Sequence, residues 1–140
     1  VKWMSRIFGA KELPPQLRSD LNAEGIVVFA PISGSLARRN YRTALHYSSA
    51  SWTNIDGGTI ALSRRRLVIW GNGEALVEVP LGHPALTLDL RGPEQMLVEV
   101  DLGAACPTGT GWMTLLLRTL HGPRIAQVYG DAGHHRPAFR

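Results

Sequence analysis

Residues 57–81 read GGTIALSRRRLVIWGNGEALVEVPL, and the fold follows from how this stretch alternates and turns. Thr59–Ser63 and Leu67–Trp70 are β-rich runs on either side of a basic corner, Arg64, Arg65 and Arg66. Gly71-Asn72-Gly73 supplies residues that tolerate the positive φ of a tight hairpin turn. Ala75, Val77, Val79 and Leu81 then alternate against Leu76 and Glu78, the period of a strand with one buried face. The stretch reads as a three-stranded meander to which the rest of the chain is added.

Toward the N-terminus, Ser48–Gly58 is polar and rich in turn formers, which predicts a loop with Trp52 isolated inside it. Ala37–Tyr47 alternates as a strand, with Arg39 and Tyr41 on one face and Arg38 and Arg42 on the other. Gly34-Ser35 predicts a turn between it and a first strand, Ile26–Ile32. Pro14 and Pro15 open a helix that carries Leu17 and Leu21 and ends at Gly25. Residues 1–12 form a separate amphipathic segment, with Trp3, Met4, Ile7 and Phe8 opposite Lys2, Arg6 and Lys11. That face suits packing over a barrel end, and it also suits contact with the headgroup region of a membrane.

Toward the C-terminus, Leu86, Leu88 and Leu90 alternate with polar residues, Gly92-Pro93-Glu94 turns the chain, and Met96, Val98, Val100 and Leu102 repeat the pattern. Gly103–Gly111 reads as a loop and Trp112–Leu120 as the last strand, with Met113, Leu115 and Leu117 facing inward. A helix starts at Gly122-Pro123 and runs through Ile125, Val128 and Tyr129. Seven or eight short antiparallel strands with short N-terminal helices and a C-terminal capping helix predict a mainly β fold, a bent sheet or partly open barrel. The barrel domain spans 13–130, and 131–140 is read as a flexible tail.

At 140 residues the chain is the size of one domain, with a formal charge of +4. Residues 1–70 hold ten basic and four acidic side chains and residues 71–140 five and seven, so an anionic partner should meet the first half. One cysteine, Cys106, excludes an internal disulfide and a multi-thiolate metal site, which points to a reducing, cytoplasmic setting. No window approaches the roughly 20 apolar residues of a transmembrane helix, and the N-terminus lacks the apolar core of a signal peptide. Any membrane association is therefore expected to be peripheral, at the inner face.

Chemistry-bearing motifs are sparse. His46, His83, His121, His134 and His135 are scattered without ligand spacing, so no metal is expected, and no motif calls for a cofactor. Thr108-Gly109-Thr110-Gly111 runs into a strand where a phosphate loop would open a helix. Glu78, Asp89, Glu99 and Asp101 fall on the polar faces of strands. The leading site is basic: if strand pairing brings Arg38, Arg39 and Arg42 to Arg64, Arg65 and Arg66, six guanidinium groups would face an acidic or phosphorylated surface, with Trp52 beside them.

The order of helix, β meander and closing helix, together with GTIALSRRRLVIW and the opening LPPQLRSDLNAEGIVVFA, resembles the pleckstrin-homology-like superfold. The similarity is to its bacterial and GRAM-type relatives, small proteins of high-GC bacteria, and covers Leu13–Tyr129. It implies a non-catalytic module that binds a protein partner or an anionic phospholipid surface through basic loops. The alternative is a small enzyme or ligand-binding barrel with a pocket at its mouth. Nucleic acid ranks lower because aromatics do not interleave with the arginines, and an exposed edge strand could pair two copies into a homodimer.

Overall fold

Alternation and turn chemistry carry most of the chain into one seven-stranded antiparallel sheet, in the order β4-β3-β2-β1-β7-β6-β5. The structure, a computed structural model, describes residues 13–42, 47–101 and 110–134. The elements are α1 (Pro15–Glu24), β1 (Ile26–Arg42), β2 (Tyr47–Ser63), β3 (Arg66–Gly71), β4 (Glu74–Pro80), β5 (Leu86–Leu90), β6 (Gln95–Asp101), β7 (Thr110–Arg118) and α2 (Gly122–His134). The amphipathic segment with Trp3, Met4, Ile7 and Phe8, the loop with Cys106, and residues 135–140 lie outside the described residues.

The sheet curls into a half-barrel around one apolar core. Val28, Ile32 and Leu36 of β1, Ile60 and Leu62 of β2, and Met113, Leu115 and Leu117 of β7 line the concave face. Helix α2 closes that face: Ile125 and Tyr129 are buried in the same core, and the Tyr129 hydroxyl donates to the His83 carbonyl at 2.7 Å. On the convex face α1 covers β2 and β3, where Leu13 and Leu21 pack on Ala61 and Val68. Arg18 of α1 lies over the Phe29 ring, 4.8 Å from its centroid.

The first two strands depart from the expected short elements. β1 does not turn at Gly34-Ser35 but runs unbroken for 17 residues. Gly34 serves close approach instead: its φ is +145°, and a Cβ there would lie 1.9 Å from the Leu116 carbonyl oxygen. The expected loop Ser48–Gly58 belongs to β2, also 17 residues long. Backbone pairing with β1 holds this polar stretch as a strand, with Ile55 reaching the core and Gly58 pairing with Gly71 of β3.

Two smaller differences have local causes. Register shifts between Ile69 and Trp70, so Ala75 pairs with Trp70 on the exposed side while Leu76 is added to the core, breaking the expected alternation. Helix α2 continues to His134, so the tail boundary at 131 falls inside it. The hairpin between β3 and β4 is as expected, with Asn72 and Gly73 both at positive φ.

Candidate functional site

The basic corner is built around Ser63, which is fully buried where β2 ends. Its hydroxyl accepts the Arg65 and Arg66 backbone N–H groups at 3.1 Å each and donates to Glu24 Oε1 at 2.6 Å. Arg66 reaches the same carboxylate with Nε at 3.1 Å and Nη2 at 2.8 Å, and its Nη1 bonds Glu78 on β4. The Ser63 hydrogen bond, opposed by partial burial and aided by Arg66, holds the Glu24 carboxyl below its ordinary value. For Arg66, desolvation works against the charge, but the bonds from Glu24 and Glu78 outweigh it and raise the pKa. Arg66 therefore ties α1 to the meander, leaving Arg64 and Arg65 exposed at the turn.

The two arginine clusters are not brought together. Ile26 pairs with Ser63 at one end of the β1–β2 ladder, whereas Arg38 pairs with Ser51 and Arg42 with Tyr47 toward the other. Twelve residues of continuous strand separate Ile26 from Arg38, roughly 40 Å of ladder at a strand's rise per residue. The six-guanidinium site required strand pairing to bring the clusters together, and the β1–β2 register sets them at opposite ends of the ladder instead. Arg38 is half-buried on the concave side opposite Met113, Arg39 is exposed on the convex side, and the Arg42 side chain lies outside the described residues.

What the fold does assemble is an aromatic and basic patch on the convex face. Arg39 stands directly beside Trp112, and Trp52 one row further on, beside Ala37. Trp52 is 66% exposed, Trp112 47% and Leu116 39%. Two strand spacings and one two-residue row put the two tryptophan Cα atoms about 12 Å apart. Trp112 and Leu116 are absent from the sequence-derived site. The signal was present, because inward Met113, Leu115 and Leu117 require Trp112, Thr114 and Leu116 to face out.

Other groups have structural partners or shallow surroundings. His83 Nδ1 accepts the Ala85 N–H at 3.0 Å, fixing the turn before β5. A cleft of about 410 Å³ opens where β7 leaves β1, lined by Pro31, Ile32, Glu94, Arg118, Leu120 and His121. Among the described residues, no group of three or more His, Cys, Asp or Glu side chains is placed to hold a metal ion. No helix among them is long and apolar enough to cross a membrane.

No known family model matches the chain, and no curated protein matches it at a significant level. The functional reading rests on the site itself.

Proposed function

We propose that this protein is a non-catalytic interaction module of the pleckstrin-homology-like kind whose convex face docks on an anionic membrane surface. The observation that carries the reading is the placement of two exposed indoles, Trp52 and Trp112, around Arg39 on one stretch of sheet that no described helix covers. Indole rings favour the boundary between hydrocarbon and headgroups, and a guanidinium there pairs with lipid phosphates. The mainly β half-barrel with its closing helix gives such a module its scaffold. The filled concave face, closed by Ile125 and Tyr129, favours recognition by the outer surface over a ligand held inside.

A pocket-based activity is the second reading, and the cleft beside Leu120 and His121 is the observation in its favour. Flotation with anionic and neutral vesicles over a salt series separates the two. The membrane reading expects binding to anionic vesicles that falls with salt, weakens about fivefold in Arg39→Ser, and is unchanged in Arg64→Ser/Arg65→Ser. Absence of flotation at low salt, or loss in the corner variant alone, overturns it.

A further inference from the structure

Among the described residues, four stretches of sheet edge have no neighbouring strand, and three of them carry the usual protection against further pairing. β4 has Glu74, Glu78 and Pro80, and β5 has Asp89. Ile26–Ile32 of β1, which precedes the start of the β7 pairing at Ser33, contains Pro31. The fourth is the outer side of β2, which meets β3 only from Gly58 onward. Asp56 and Gly57 stand next to that pairing, but from Tyr47 to Ile55 the edge contains no charge, proline or glycine. An edge this long and this plain is a template for another strand.

The direction of its free groups can be read from one contact. Asn72 Nδ2 donates to the Asn54 carbonyl at 3.1 Å from the β3 side, so the Asn54 backbone points out of the edge and is capped. Backbone groups alternate along an antiparallel strand, so Trp52, Ala50 and Ser48 also present their N–H and C=O outward. We infer that this edge pairs with the same edge of a second copy, antiparallel about a two-fold axis at Ala50.

The capped Asn54 sets one limit of the ladder, and Ala50 is the centre of the three outward positions among the described residues, Ser48, Ala50 and Trp52. Ala50 then exchanges both hydrogen bonds with Ala50 of the second copy, and Trp52 does so with Ser48 of the second copy. A bulky residue is thus set opposite a small one on each side of the axis. The paired stretch Ser48–Trp52 is uncharged, so two copies of a +4 chain meet without like charges in the ladder. Directly opposed residues share a face, so both convex faces point the same way. The two Arg39 positions come about 14 Å apart, three strand spacings. One continuous surface would then carry both Trp52–Arg39–Trp112 patches.

The dimer does not depend on the membrane reading, and its test needs no lipid. Sedimentation over a concentration series, with amide hydrogen exchange of the same samples, should give a dimer in which the Ala50 and Trp52 amides exchange more slowly as dimer forms. Ala50→Pro removes an outward N–H and should be monomeric with an unchanged circular dichroism spectrum, as should Trp52→Lys. A wild-type chain that stays monomeric at millimolar concentration overturns the inference. So does a dimer that keeps the Ala50 and Trp52 amides fast-exchanging, whether or not Ala50→Pro folds.

Discussion

At the scale of single residues, Arg66 is the side chain whose role changes most between its local sequence and its environment. Within Arg64, Arg65 and Arg66 the three are chemically alike, yet only Arg66 faces two carboxylates, one 42 residues away and one 12. Arg66→Ala should cost about 2 kcal/mol in denaturant unfolding, because it leaves Glu24 half-buried without its cation. Glu24 adds a pH signature. Its folded pKa lies below the ordinary 4.5, so its stabilising contribution is complete above that value and is lost as pH falls through the lowered one. The stability difference between wild type and Glu24→Gln should therefore shrink on acidification below about pH 4.5, measured by urea unfolding at each pH. No local pattern names Glu24 as Arg66's partner, since the pair forms only when α1 docks on the meander.

At the scale of elements, strands with inward apolar alternation were legible to within a residue or two. β5 matches Leu86–Leu90, and the inward faces of β6 and β7 are those the alternation predicts. Stretches of polar composition that enter the sheet through backbone pairing were not legible. Ser48–Gly58 has the composition of a loop, but strand pairing with β1 makes it half of the longest hairpin. Gly34 likewise reads as a turn residue and is a point of close strand contact, which no sequence period records. Gly34→Ala should lower stability on the order of 3 kcal/mol, since the methyl meets backbone and the ladder must shift. Leu21, the fully buried side chain of α1, tests the other face: Leu21→Ala should cost about 2–5 kcal/mol in the same unfolding assay.

At the scale of the whole molecule, the two helices among the described residues divide the sheet's surfaces between them. α2 seals the concave face and α1 covers the convex side of β2 and β3. Trp52 and Trp112 stay exposed on the convex face, along β2 and β7. Half of the candidate site was legible, because Arg39 and Trp52 stand out in the sequence. Their neighbour Trp112 comes from 60 residues beyond Trp52 and meets them only through the β1–β7 register. The most direct measurement is quenching of tryptophan fluorescence by anionic vesicles with brominated acyl chains, comparing wild type with Trp52→Phe/Trp112→Phe. The account predicts quenching in the wild type that the double variant largely loses while it remains folded. Quenching of equal depth in the double variant, or none in the wild type, would contradict a membrane-docking convex face.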